Sequence, residues 1–268
     1  MSTIPTTNAE WTEAISALSA QLTGDVLPVP PTSPEQIPGM IDHTLLKEPI
    51  EPQQIDTLCQ EARQHNFATV CVRVGYVAQA VANLKDLPNV GVACVVGFHE
   101  GTYETEYKVS EAREAVALGA SELDMVIDYP KLKKGEYTAV YEDVLAVRRA
   151  APLPVLLKAI LETSELEKEE IIAATLLCCI AGVDFVKTST GFKGPATEDA
   201  VSLMRTVSQV AGFPNVQVKA SGGVRTASDC LRMVKAGATR IGASAGVNIV
   251  RELTSGETQA QSTGGDGY

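Results

Sequence analysis

The sequence predicts an α/β protein built as a (β/α)8 barrel, and three observations carry that prediction. Eight short apolar runs recur between Ile37 and Gly246, each ending in a Gly, Ser, Thr or Asp break and followed by a helical stretch. The runs are largely continuous in their apolar character, which suits strands of a parallel sheet covered on its outside. An open doubly wound sheet would place a glycine-rich dinucleotide turn after its first strand, and HTLLKEP offers none.

In chain order, residues 1–38 read as an extension. AEWTEAISALSAQL, Ala9 to Leu22, has helical apolar spacing, and LPVPPTSPEQIP is a Pro-rich connector. The barrel then occupies residues 39–254. Its strand candidates are GMIDHTLL, ATVCVRV, NVGVACVVGF, ELDMVID, PVLLKAILE, DFVKTST, VQVKASGG and RIGASAG. The clearest helices are QQIDTLCQEARQH, KVSEAREAVALG, AVYEDVLAVRRAA, EKEEIIAATLLCCIAG and ASDCLRMVKAG. Residues 255–268 are polar and Gly-rich, the composition of a mobile tail.

Composition excludes several function classes. The chain is 268 residues long and 45% hydrophobic, enough for a sizeable core. A net charge of −11 argues against nucleic acid or an anionic membrane as partner. No run reaches the length of a membrane span, and no signal-peptide pattern opens the chain. Cysteines at 59, 71, 94, 178, 179 and 230 lie inside apolar segments without a CxxC, pointing to reduced thiols and a cytoplasmic location. The three histidines, His43, His65 and His99, are scattered, so neither a metal nor another cofactor is expected.

Strand alternation locates the chemistry, because a barrel carries its active site at the C-terminal strand ends. Asp124 lies opposite Leu123 and Met125, Lys158 opposite Leu157 and Ala159, Lys187 opposite Val186, and Lys219 opposite Val218. With the apolar partners facing the outer helices, three lysines and one aspartate converge on the interior. A buried ion-pair network that merely fills the barrel is the structural alternative. Three ammoniums against one carboxylate would leave positive charge unbalanced, which favours a functional site.

An ordinary lysine is only about 0.04% neutral at pH 7. Two ammoniums about 6 Å apart repel by roughly 3 kcal/mol at an effective dielectric near 20, worth about two pKa units. Desolvation acts in the same direction. A lysine so perturbed can attack a carbonyl and form a Schiff base, with Asp124 passing protons. KASGGVRTASD and RIGASAG follow the last two strands, and glycines there let backbone N–H groups approach a phosphate. Arg225 adds a guanidinium suited to the same anion.

IDHTLL, VCV, EAREAVALGASELDMVID, LKAILET, AGVDFVKTSTGF, VKASGGVRT and RIGASAG, between Ile41 and about Val250, resemble the successive motifs of deoxyribose-phosphate aldolases. The resemblance implies a metal-free class I aldolase on a (β/α)8 barrel. The reaction implied is reversible cleavage of 2-deoxy-D-ribose 5-phosphate into D-glyceraldehyde 3-phosphate and acetaldehyde. It matches Lys187 to the Schiff-base lysine, Lys219 to the lysine that perturbs it, and Asp124 to the proton-relay carboxylate. Alternation alone leaves open which of Lys158, Lys187 and Lys219 is the nucleophile.

The resemblance implies substrate-side roles for Asp42, Thr44, Cys71, Lys158 and Thr190, with Lys158 as a supporting charge and Cys71 equally readable as a small buried hydrophobe. It likewise implies phosphate-side roles for Gly191, Gly222, Gly223, Arg225, Gly242 and Ser244. Tyr268 matches the terminal tyrosine that some relatives fold over the pocket. A homodimer is the usual assembly in the family. Departures are His99 after VGF, Arg73 and Val74 in VCVRVGYV, Ala245 in RIGASAG, and the short loop GFKGPAT; His99 is expected to be a solvated loop residue. The rival readings are another Schiff-base sugar-phosphate aldolase or transaldolase, and a barrel that binds a phosphorylated metabolite without turnover.

Overall fold

The computed structural model describes residues 4–22, 29 and 32–255. The strands are β1 (Ile41–Thr44), β2 (Thr69–Val72), β3 (Gly91–Val96), β4 (Glu122–Val126), β5 (Leu156–Ile160), β6 (Phe185–Lys187), β7 (Gln217–Ser221) and β8 (Arg240–Ala243). They form one closed parallel barrel in sequence order, sealed where Ile41, Asp42 and His43 of β1 pair with Ile241, Gly242 and Ala243 of β8. The predicted (β/α)8 architecture is the observed one.

The helices are α1 (Asn8–Ser19), α2 (Pro52–His65), α3 (Val77–Leu84), α4 (Thr105–Ala117), α5 (Tyr129–Lys133), α6 (Tyr137–Ala150), α7 (Lys168–Ala181), α8 (Glu198–Val210), α9 (Ala227–Ala236) and α10 (Gly246–Ser255). Five of the outer helices coincide with the clearest sequence candidates. The crossovers α3 and α8 and the closing helix α10 complete the alternation. Eight residues rich in Val and Ala make α3 nearly as strand-like as helical in sequence. In α8 the signal is amphipathic, with Ala200, Val201, Met204 and Val207 buried at helical spacing.

Side chains alternate as the strand pleat requires. Val70, Val72, Cys94, Leu123, Met125, Leu157, Val186 and Val218 join the large core between barrel and helices. The inward positions divide by chemistry. Asp42, Glu122, Asp124, Lys158, Lys187 and Lys219 are all buried. A small apolar cluster of Leu46, Cys71, Ala93, Val95, Phe98, Val126 and Ile160 fills the rest of the interior. Val126 and Ile160 stand one inward step beyond Asp124 and Lys158, toward the strand ends where a substrate enters.

The predicted N-terminal helix is present, and it packs on α6 and α7. Trp11 is fully buried with its ring centroid 5.2 Å from that of Tyr141. Asn8 Oδ1 accepts a hydrogen bond from Thr138 N at 2.9 Å, satisfying an otherwise open donor in the first turn of α6. The covering explains an oddity of α7. That helix is apolar nearly all round, with Ile171 to Cys179 buried without a break, because barrel and α1 enclose it from two sides.

Candidate active site

Five strands aim charged side chains at one point. Asp124 on β4 is fully buried; its Oδ1 accepts from Lys158 Nζ at 2.6 Å, and its Oδ2 accepts from Lys187 Nζ at 2.8 Å and Lys219 Nζ at 2.7 Å. Lys219 also donates to Asp42 on β1. Beneath them Lys158 meets Glu122 at 2.5 Å, and Arg240 NH1 reaches both Asp42 at 2.7 Å and Glu122 at 3.0 Å.

This corrects the expected charge balance. The sequence reading set three ammoniums against one carboxylate; the interior holds four cations against Asp42, Glu122 and Asp124. Asp42 and Glu122 sit on inward positions of β1 and β4, so the imbalance is smaller than expected and sits elsewhere. Among the described residues, Lys158 has three carboxylates within ion-pair distance and Lys219 has two, while Lys187 has Asp124 alone.

The proton affinities follow. Burial lowers that of Lys187; the charge on Asp124 opposes the shift, Lys219 reinforces it, and the net direction is down. Desolvation therefore outranks the ammonium repulsion that the sequence reading put first. For Lys219 burial acts the same way, but Asp124 and Asp42 outweigh it and hold the ammonium charged. Lys158 is likewise raised, by Asp124, Glu122 and Asp42 against its burial. Burial would raise Asp124, yet Lys158, Lys187 and Lys219 keep it well below the usual carboxylate range. The centre is one amine inclined to lose its proton, beside a carboxylate that its three lysine neighbours keep ionised at rest.

The chain after Lys187 is clamped on both sides. Thr188 Oγ1 donates to Ser221 O and accepts from Ser221 N, each at 3.0 Å, while Leu161 N donates to Lys187 O at 2.9 Å. Gly242 lies in β8 against this cluster: a Cβ there would stand 2.2 Å from Ser221 Oγ and 3.0 Å from Lys219 Cε. Its missing side chain is room for Lys219.

Above the lysines, Gly191, Lys193, Gly194, Gly223, Arg225 and Ser244 line a cavity of about 240 Å³. Four predicted phosphate-side positions therefore meet there. Gly222 sits just behind, its φ of +97° and its 2.8 Å Cβ clearance from Gly194 O both requiring glycine. The short GFKGPAT loop is wedged in place: Ala196 N donates to Gly222 O at 3.0 Å, and a Cβ on Gly194 would stand 2.5 Å from that of Ser164.

Thr44 is buried, its hydroxyl donating to Asp42 O at 2.8 Å. Cys71 is fully buried within the inner apolar cluster, and desolvation pushes its thiol up to about 11. All six cysteines are buried and free. His99 departs from the solvated role expected of it: its ring stacks on Phe192 at 4.6 Å and 19°, half-buried, with Nδ1 2.9 Å from a Glu100 carboxylate oxygen. Arg73 lies over the Phe98 ring at 5.2 Å and donates to Leu46 O at 2.9 Å, so this departure braces the rim. Ala245 is half-buried beside Ser244. Tyr268 lies outside the described residues.

Sequence reasoning missed Glu122, Arg240, Lys193 and Glu162. Glu122 and Arg240 carried a readable signal, each two residues before an inward position already identified, Asp124 and Gly242. Lys193 lies in a loop, where no period predicts direction; Glu162 closes the predicted strand PVLLKAILE, but β5 ends at Ile160 and the left-handed backbone of residue 162 breaks the alternation. Among the described residues, no group of three or more His, Cys, Asp or Glu side chains is placed to hold a metal ion, and no helix is long and apolar enough to cross a membrane.

Comparison with known proteins agrees with this geometry. The family described as DeoC/LacD family aldolase matches residues 39–255. A deoxyribose-phosphate aldolase of Coccidioides immitis is 51% identical over 255 residues, 94% of each chain. A crystal structure from the same organism is 50% identical, with a TM-score of 0.89 over 95% of this chain and 100% of that one. The tetrameric deoxyribose phosphate aldolase of Aeropyrum pernix is 29% identical, with a TM-score of 0.75 over 91% of this chain and 98% of its own.

Proposed function

Because the chain belongs to the DeoC/LacD family of aldolases, we propose that it reversibly cleaves 2-deoxy-D-ribose 5-phosphate to D-glyceraldehyde 3-phosphate and acetaldehyde through an imine on Lys187. One observation carries the assignment of the nucleophile. Of the three interior lysines, Lys187 alone has its proton affinity lowered and faces a single carboxylate.

The neutral amine of Lys187 attacks C1 of the open-chain sugar, and loss of water gives the protonated imine. The C3 hydroxyl then gives up its proton, the C2–C3 bond breaks, and its electron pair flows into the iminium nitrogen to leave an enamine. D-Glyceraldehyde 3-phosphate departs with C3 as its aldehyde carbon. Protonation of the enamine at C2 and hydrolysis of the imine release acetaldehyde and restore Lys187. Asp124, ionised and hydrogen-bonded to Lys187, relays these protons through water or the substrate hydroxyl. Lys219 keeps its charge and thereby disfavours a second one on Lys187. Lys158 and Asp42 hold Asp124 and Lys219 in place from below.

Substrate choice follows from the surroundings. The apolar cluster of Leu46, Cys71, Val95, Phe98, Val126 and Ile160 suits a two-carbon donor. Thr44 and Thr190 lie on the sugar side. Lys193, Arg225, Ser244 and the glycine backbones suit a phosphate. A homodimer in the cytoplasm is the setting most consistent with the family and with six free, buried cysteines; sedimentation would separate a dimer from the tetramer of the Aeropyrum pernix enzyme.

Borohydride reduction in the presence of acetaldehyde, followed by peptide mass mapping, tests the mechanism. A two-carbon adduct on Lys187 is expected. An adduct on Lys158 or Lys219 overturns the assignment of the nucleophile, and no adduct on folded protein leaves a barrel that binds without turnover.

A further inference from the structure

Glu162 follows β5 and has no part in the chemistry above, yet it is one of two non-glycine residues among those described with positive φ. The other, Asn66, caps a helix, where a left-handed residue is ordinary. Glu162 stands instead at the N-cap of a short 3-10 helix, Thr163–Glu165, where extended backbone is the rule and its side chain makes no capping bond. It adopts φ 59° and ψ 58°, conformations that bulky side chains avoid, and its side chain is fully buried. A strained backbone holding a buried acid persists only where its surroundings over-determine it, and such positions cluster at functional sites.

The surroundings show what the strain accomplishes. The rungs on either side are regular: Leu161 N donates to Lys187 O and Thr163 N to Thr188 O, both at 2.9 Å. The left-handed residue between them turns its carboxylate onto the segment leaving β6. Both carboxylate oxygens lie 3.3 Å from Thr190 N, and one accepts the Thr190 hydroxyl proton. That hydroxyl oxygen in turn accepts from Phe192 N at 3.1 Å. Thr190 and Phe192 flank Gly191, whose φ is +90° and which lines the phosphate cavity. Burial pushes the Glu162 carboxyl up, while the Thr190 donors and the charge on Lys187 act against that shift.

We propose that Glu162 is a positioning residue for the phosphate end of the substrate: from the strand beside Lys187 it sets the main-chain direction of Thr190 to Phe192, and so the Gly191 wall of the cavity. The inference rests on the sugar-phosphate reading above and adds to it. It separates two functions carried by one short loop. Lys187 is fixed by the barrel strands and would keep its chemistry without Glu162; the Gly191 wall would not keep its place.

The test compares turnover of 2-deoxyribose 5-phosphate with that of unphosphorylated 2-deoxyribose, inhibition by inorganic phosphate, and acetaldehyde trapping by borohydride. In Glu162→Ala the preference for the phosphorylated substrate is expected to fall about tenfold, mainly through KM, equivalent to about 1.4 kcal/mol. Phosphate inhibition weakens in parallel, and the trapping rate stays within about threefold of the original, since no imine-forming group is touched. Glu162→Gln keeps an acceptor oxygen for Thr190 and restores most of the preference. Thr190→Val removes the bridging hydroxyl without altering residue 162; its inhibition by inorganic phosphate, a readout that does not depend on the sugar side of Thr190, is expected to weaken as in Glu162→Ala even where that variant fails to fold. Unchanged preference in a folded variant overturns the proposal, as does a loss of trapping equal to the loss of phosphorylated turnover. Unaltered protein that neither traps acetaldehyde nor cleaves either sugar overturns the sugar-phosphate reading instead.

Discussion

Among the described residues Lys187 has one carboxylate within ion-pair distance, where Lys158 has three and Lys219 two. That difference in company makes one of three chemically identical side chains the candidate nucleophile. The rate of acetaldehyde trapping should therefore rise with pH to a midpoint below the 10.5 of an ordinary lysine. Lys219→Met removes a neighbouring cation and frees Asp124 to pair more fully with Lys187. Both changes favour the charged amine, so the midpoint should move upward, and each unit of that shift slows trapping at neutral pH about tenfold. A midpoint that stays put in Lys219→Met would show that Lys219 does not set the reactivity of Lys187. The sequence alone could not make this distinction. Alternation turns all three lysines inward, but the selectivity depends on Asp42, which is 177 positions from Lys219 in the chain, and on Glu122, whose inward aim went unnoticed beside Asp124.

At the level of elements, the strands were the most legible part, because charges interrupting apolar runs mark both the strand and its inward face. The helices were less even. The α7 run reads as a helix, and its all-round apolar character is also a sign that something covers its outer side; α1 is that cover. Trp11 is the centre of the contact, fully buried against Tyr141. Trp11→Ala should destabilise the protein by about 3–5 kcal/mol, as for other buried aromatic truncations. Urea unfolding would read the loss, and kcat per folded molecule should be unaltered because α1 lies against α6 and α7. A fall in kcat without a fall in stability would instead link α1 to the mouth. The turns were the least legible. Lys193 and His99 lie where neither period applies, Glu162 lies where the predicted strand outruns the observed one, and His99, expected in solvent, stacks on Phe192.

At the scale of the whole molecule, the charged interior draws on β1, β4, β5, β6, β7 and β8. Its longest hydrogen-bonded link, Arg240 to Asp42, spans 198 positions in sequence. That link crosses the seam where β8 meets β1, so the network is complete only when the cylinder has closed. The same seam gives the enzyme a built-in clock. Contacts between remote segments form late, because the intervening chain must be ordered first. During refolding, helical circular dichroism should return before imine-forming capacity, with the reactivity of Lys187 appearing together with β1–β8 pairing. Reactivity recovered as early as the helical signal would mean that a partial barrel can perturb the lysine. A nascent chain released before β8 would hold every residue of the lysine–aspartate core and still be chemically silent, so an incomplete product would not release free aldehyde.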